Sequence, residues 1–240
     1  MKRNITSLLM LVFLTAATAF SQTKKPYTTS GGEMIFSFAT IDDNGSESGN
    51  VMRWSPVFNF QNLVNFDVNK SVGLFTGLNI RNVGYIYDKY KDKVTGDVVK
   101  KKFRNYTLGL PAGLKLGRLD KTFFYGGYEI EFPFNYKEKT FVNEKKDKFN
   151  VWFSSRVPVV YHTVFAGIQF QHGLNLKFKY YLTGFHNEDY EESINGVKVK
   201  PYENLNSNVF YISLCFDLFK NYNLEPPDFD NKKETSASIF

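Results

Sequence analysis

The stretch Leu174 to Gly184 reads LNLKFKYYLTG, with Leu174, Leu176, Phe178, Tyr180 and Leu182 at every second position and Asn175, Lys177, Lys179, Tyr181 and Thr183 between them. A period of two specifies a strand with one apolar and one polar face. The same alternation recurs in seven other segments, so the chain must solve one problem eight times. In a soluble β-fold the apolar faces pack into a core and the lysines point to solvent. In a membrane barrel the apolar faces meet lipid and the lysines line the lumen.

The first segment begins near Gly32 and sets Met34, Phe36 and Phe38 against Ile35, Ser37 and Ala39. The second runs from Trp54 through Phe58, Phe60 and Val64 to Phe66, opposite Asn59, Gln61 and Asn65. The third, from Val72, places Leu74, Leu78 and Ile80 opposite Gly73, Gly77, Asn79 and Arg81, and its parity slips near Asn82, where a bulge is expected. The fourth, YTLGLPAGLKLG, has Tyr106 to Leu116 at even positions and Thr107, Gly109, Gly113 and Lys115 at odd ones. In the fifth, Phe124, Tyr128, Ile130, Phe132 and Phe134 oppose Glu129 and Glu131. The sixth starts somewhere between Asn150 and Val157 and carries Val164, Ala166, Ile168 and Phe170. The eighth sets Phe210, Ile212, Leu214, Phe216 and Leu218 against Ser213, Cys215 and Asp217.

The connections alternate in length. Polar loops at 42–50, 88–102, 137–148 and 186–207 separate hairpins closed by DVNK (Asp67 to Lys70), RLDK (Arg118 to Lys121) and QHG (Gln171 to Gly173). An up-and-down outer-membrane barrel has this asymmetry, with short periplasmic turns and longer extracellular loops; a Greek-key sandwich has no reason for it. About 9 to 11 residues of apolar face per strand suffice to cross a bilayer at the usual tilt, and closure satisfies every edge. The expected fold is therefore all-β, an eight-stranded antiparallel up-and-down transmembrane β-barrel.

The chain opens with Lys2 and Arg3, an apolar run from Leu8 to Leu14, and ATAFSQ, the pattern of a secretory signal peptide cleaved before Gln22. The organisation expected is a signal peptide at 1–21, a short periplasmic lead at 22–31, the barrel at 32–219 and a polar tail at 220–240. One cysteine, Cys215, rules out an internal disulfide framework and is not placed for lipid attachment. With Lys2 and Arg3 removed, 28 basic residues face 24 acidic ones, a net charge of +4. The basic residues cluster in KDKVTGDVVKKK and EKKDK, which resemble solvated loops, and an exported protein has no nucleic-acid partner to meet. Phe and Tyr number 25 and 15, a content that suits interfacial girdles of aromatic rings.

With YTLGLPAGLKLG, YGGYEIEFPF and FAGIQFQHGLNLKFKYYL, the chain resembles the PorT-like outer-membrane β-barrel domains of Gram-negative bacteria over essentially all of its mature length. The resemblance implies an outer-membrane location and no shared enzymatic activity. Members include accessory proteins of secretion.

With the lysines inside, Arg81, Lys115, Lys177 and Lys179 share a narrow lumen with Glu33, Glu129, Glu131 and Asp217. Opposite charges there are expected to pair across the lumen as a polar core, since unpaired buried charges are costly; a gated ion path and a small-ligand pocket are the alternatives. His162, His172 and His186 fall on three parts of the map, so neither a metal site nor a nucleophile with its base is indicated. His186 with Glu188 and Asp189 reads as a solvated outer loop, with a hydrolytic or metal rim site as the rival. Glu129 and Glu131 share a face, as paired catalytic carboxylates do, but salt bridges to lysines are the simpler account. Cys215 reads as an inert buried thiol, and the inward glycines as relief from crowding in a tightly curved wall. No cofactor, metal or catalytic residue is expected. The function expected is a structural or interaction role for a non-enzymatic outer-membrane barrel, with outer-membrane lipid and an envelope or secretion protein as partners. The alternatives are a small passive channel, a membrane-embedded lipid hydrolase or acyltransferase, and a soluble periplasmic ligand-binding barrel with inverted parity.

Overall fold

The structure is a computed structural model and describes residues 25–47, 51–93, 96–142, 145–194 and 196–221. The signal-peptide segment 1–21 and residues 222–240 of the expected tail lie outside the described residues.

Eight strands form the wall: β1 (Tyr27–Asp43), β2 (Phe60–Asp67), β3 (Val72–Lys91), β4 (Val98–Gly117), β5 (Phe123–Val142), β6 (Tyr161–Gln169), β7 (Leu174–Tyr181) and β8 (Leu205–Asn221). Each pairs antiparallel with the next in sequence, and β8 returns to pair with β1 from Thr28↔Asn221 to Asp43↔Leu205. The ring is closed, as an eight-stranded up-and-down barrel requires. The connections 68–71, 118–122 and 170–173 are the tight ones, and both described ends, Tyr27 and Asn221, lie at that end of the barrel.

The pleat sorts the side chains as the alternation predicts. Leu78, Leu108, Leu110, Leu114, Phe132, Leu176, Phe178 and Ile212 are exposed on the outside, while Arg81, Glu129, Glu131, Lys177 and Lys179 are buried within. On β4 the outer apolar face runs from Leu116 to Tyr106. Ten residues at ~3.3 Å, tilted by about 40°, give a belt about 25 Å tall, the height of the apolar band of outer-membrane barrels. Tyr106, Phe134 and Trp152 mark its upper edge, and Phe124, Phe170 and Phe216 its lower edge.

Several boundaries differ from the sequence reading. The first strand begins at Tyr27 rather than near Gly32, and β8 continues to Asn221, into the expected tail. The polar loops at 88–102 and 137–148 are largely strand: β3 runs to Lys91, β4 starts at Val98, and β5 runs to Val142, where Lys145–Trp152 pairs back onto it. Their exposed residues are mostly charged, Val98 and Val142 excepted, but their inner faces carry Tyr87, Tyr90, Val99, Phe103 and Tyr136, all buried. The sixth strand of the ring starts at Tyr161, later than the expected 150–157, because Asn150–Trp152 belongs to a separate strand, Lys145–Trp152, that pairs with the upper half of β5 while Tyr161–Gln169 pairs with its lower half.

The second strand is also broken. Arg53–Ser55 pairs with Ser37, Phe36 and Ile35, and β2 starts at Phe60 opposite Gly32, so four residues stand against two and Phe58 takes φ 62°. The β3 backbone left beside this break is satisfied by side chains. Asn59 Oδ1 accepts from the Asn82 amide at 2.8 Å, and the Asn82 carbonyl accepts from Arg53 at 3.1 Å and Ser55 at 3.2 Å. The bulge expected at Asn82 is absent. The register with β4 is continuous there and shifts between Tyr87 and Tyr90, while Arg81, Val83, Tyr85 and Tyr87 all point inward. What changes at Asn82 is the lumen itself, which turns from polar to aromatic.

Candidate functional site

The lumen has three layers. The middle layer is an ion cluster contributed by β1, β3, β5 and β7. Arg81 donates from Nε to Glu33 at 2.9 Å and from Nη1 to Glu129 and, at 3.3 Å, to Glu131. Lys179 bonds Glu129 at 2.7 Å and also Glu131, and Lys177 reaches Glu33 at 3.2 Å. Neutral donors complete the set: Asn79 to Glu129 at 2.9 Å, and Thr107 and Tyr181 to Glu131, each at 2.8 Å. Three carboxylates and three cations cancel. All four oxygens of Glu129 and Glu131 accept hydrogen bonds, which leaves both carboxylates committed to structural partners rather than free to exchange a proton with substrate.

A glycine makes room for this cluster. A Cβ on Gly109 would lie 2.0 Å from Glu129 Oε1. Gly167 does the same one layer lower, where a Cβ would meet the Tyr125 ring at 2.5 Å. Small residues at these inward positions let long charged and aromatic side chains cross a narrow barrel.

The lower layer, toward the short turns, encloses a cavity of about 330 Å³ lined by Tyr27, Gln61, Lys115, Tyr125, Phe165 and Asp217 among others. Lys115 does not join the central cluster. It pairs with Asp67 at 2.5 Å and touches Tyr27 OH at 3.1 Å and Asn65 at 3.2 Å. Asp217 also stands apart, accepting from Gln61 at 3.3 Å. The turn pattern DVNK makes Asp67 the start of a turn; its parity with Asn65 and Gln61 is the signal that places it inside.

The upper layer is aromatic, and the sequence reading missed it. Tyr85, Phe103, Tyr136, Phe185 and Tyr202 surround His186, whose ring stacks on Tyr202 at 4.1 Å and meets Phe103 edge-on at 4.6 Å. His186 Nε2 bonds Tyr85 OH at 3.0 Å. The solvated loop expected at His186 is thus a buried plug. Its imidazole is held well below its ordinary pKa, first by burial and then by Lys101 and Arg156. Glu138 accepts from Lys101 at 2.8 Å, Tyr136 at 2.9 Å and Tyr202 at 3.1 Å. Arg156 bonds Tyr202 OH at 3.2 Å and pairs with Glu192, tying the segment before β6 to the plug. Continuing the β4 parity upward from Thr107 finds Lys101; Glu138 comes inside only through the register shift that sets Pro133 and Asn135 opposite the consecutive residues Thr107 and Tyr106, which alternation alone does not show.

His162 lies on the outer face against Tyr128, and His172 sits in the short turn at φ 71°. Cys215 is buried, with its sulfur 3.7 Å from Ser213 Oγ. Among the described residues no three His, Cys, Asp or Glu side chains converge to hold a metal.

No protein-family model matches the sequence, and no curated protein does. Solved structures that align with it include the attachment invasion locus protein Ail of Yersinia pestis (11% identity, 80% of this chain and 99% of that one, TM-score 0.36). Neisserial surface protein A aligns at 10% identity over 82% and 99%, with a TM-score of 0.35. The N-terminal β-barrel domain of Pseudomonas aeruginosa OprF aligns at 8% over 81% and 98%, with a TM-score of 0.27.

Proposed function

We propose that this protein is a non-enzymatic outer-membrane barrel, exported by its N-terminal leader, whose role is structural or interaction-based. It anchors itself in lipid by the apolar belt and offers its long hairpins to an envelope or secretion partner, in line with its resemblance to PorT-like barrels. The observation that carries this reading is the lumen: a charge-neutral ion cluster topped by a packed aromatic layer. An ion crossing it must break pairs between almost fully buried side chains, which opposes the passive-channel reading. The committed oxygens of Glu129 and Glu131 and the buried, neutral His186 oppose the hydrolase reading. An outer face of exposed leucines and phenylalanines opposes the soluble-barrel reading, in which that face would be polar.

The test combines location and conductance. Membrane fractionation is expected to recover the protein in the outer membrane, with a gel mobility in detergent that changes on boiling. The purified barrel in planar bilayers is expected to give no conductance steps, and substitution of Lys177 or Glu129 should not create regular ones. Recovery in the soluble periplasm, or reproducible single-channel steps from the wild type, would overturn the reading.

A further inference from the structure

On the outer face of the wall, just beyond the apolar belt, the strand register sets like charges side by side. Lys102 of β4 stands directly opposite Lys139 of β5, and Lys139 directly opposite Lys148 of the added strand Lys145–Trp152. Directly opposed residues share a face, with Cβ atoms ~4.5–5.5 Å apart. Lys100 and Arg104 flank the row on β4 and Lys146 flanks it on the added strand, since the residues between them, Lys101 and Phe103, point inward. Among the described residues none of these six cations forms an ion pair with a carboxylate. Asp147 alternates to the other face of its strand, and the neighbouring Asp88 has a buried Oδ1 without a hydrogen-bond partner. Arg104 Nε is likewise buried and unpartnered.

The crowding is felt by the lysines. Burial, then Arg53, Arg104, Lys139 and Lys100, push Lys102 down to about 8. Lys139 is lowered by burial and then by Arg104, Lys146 and Lys148. Like charges directly opposed across strands destabilise a sheet. On the inner face of the same hairpin, Lys101 meets Glu138 at 2.8 Å, so this stretch of wall pairs its charges where it needs no ligand.

We propose that the Lys102–Lys139–Lys148 row binds the phosphate groups of a phosphorylated lipid headgroup in the outer leaflet. The position selects this source of phosphate over a soluble polyanion. Lys102 is four residues beyond Tyr106, about 10 Å above the belt's edge on a strand tilted by about 40°. Directly below, Trp152 stacks on Phe134 at 5.9 Å and Lys137 lies 4.9 Å over the Tyr106 ring, an aromatic ledge for acyl chains whose headgroup reaches the row. The row lies at the end of the barrel away from the chain ends, which faces the outer leaflet if the ends are periplasmic. The inference rests on the membrane reading above.

The test uses the whole mature barrel folded into phosphatidylcholine vesicles with and without bis-phosphorylated lipid A. Lipid retained on the detergent-extracted protein is measured by native mass spectrometry, and unfolding by urea. A cation beside an anionic surface strengthens binding about fivefold, so K102Q/K139Q/K148Q should weaken lipid A retention about 100-fold. The triple Arg variant should keep it. In pure phosphatidylcholine the Gln variant should be at least as stable as the wild type, because its repulsion is gone. Equal retention by the Gln variant, or equally tight retention of dephosphorylated lipid A, overturns the proposal. Displacement of lipid A by heparin at matched charge concentration assigns the row to a soluble polyanion and overturns it too. A wild type without the boiling-dependent mobility shift fails the membrane reading first, and the lipid site falls with it; a shift with no lipid A retention fails the lipid site alone.

Discussion

Replacing Arg81 by Met should cost the barrel about 3–5 kcal/mol, the usual penalty for removing one partner of a buried ion pair. Arg81 is 1% exposed and bonds three carboxylates, so its loss leaves Glu33, Glu129 and Glu131 facing only Lys177 and Lys179. The residual negative charge is left among almost fully buried side chains. At a slope of ~2 kcal/mol per M urea, the unfolding midpoint of the refolded barrel should fall by about 2 M. Trp54 and Trp152, 56% and 61% exposed on the outer face, report this by fluorescence without touching the cluster. The decisive comparison is the double variant R81M/E129Q, which returns the cluster to two carboxylates and two lysines and lets Asn79 donate to the new amide oxygen. It should recover more than half of the single-variant loss. A single-variant loss below about 1 kcal/mol, or a double variant that costs the sum of the two singles, would refute the claim that charge balance holds the lumen together.

Other perturbations probe the remaining layers. His186 has a pKa lowered from an ordinary 6.5, so the unfolded chain binds a proton that the folded one refuses; stability is full above about pH 6.5 and falls as pH drops toward the folded value. A His186→Phe variant should flatten that dependence between pH 7 and pH 5 in urea titrations, and an unchanged slope would rule His186 out as its source. Gly109→Val places atoms where Glu129 Oε1 now sits and should destabilise by about 1–3 kcal/mol, read as a lower midpoint; a neutral result would mean that Glu129 moves freely. Lys115→Met should cost less than Arg81→Met in the same assay, because its partner Asp67 keeps a side chain 10% exposed beside the lower cavity. A larger loss would show that the lower pair, not the central cluster, carries the lumen.

The sequence by itself determined the strand number, the antiparallel meander and the side of the wall on which each residue of the belt falls. That was legible because one face meets a uniform apolar surface, so a strict period of two survives at Leu108 to Leu116 or Leu174 to Leu182 whatever the neighbours do. It likewise placed Arg81, Glu129, Glu131, Lys177 and Lys179 inside together. Above the belt the rule inverts, because the outer face of the hairpins is polar and the inner face aromatic. The stretches 88–102 and 137–148 therefore read as loops from sequence, and the parity at Asn82 reads as broken where only the lumen's chemistry changes. Only the tertiary structure decided which charges meet. Cross-lumen neighbours depend on strand stagger and on the break at 56–59, which no local pattern encodes. The stagger sends Lys115 to Asp67 and ranks Lys102, Lys139 and Lys148 in one row, and the folding of the long connection over the barrel puts His186 on Tyr202.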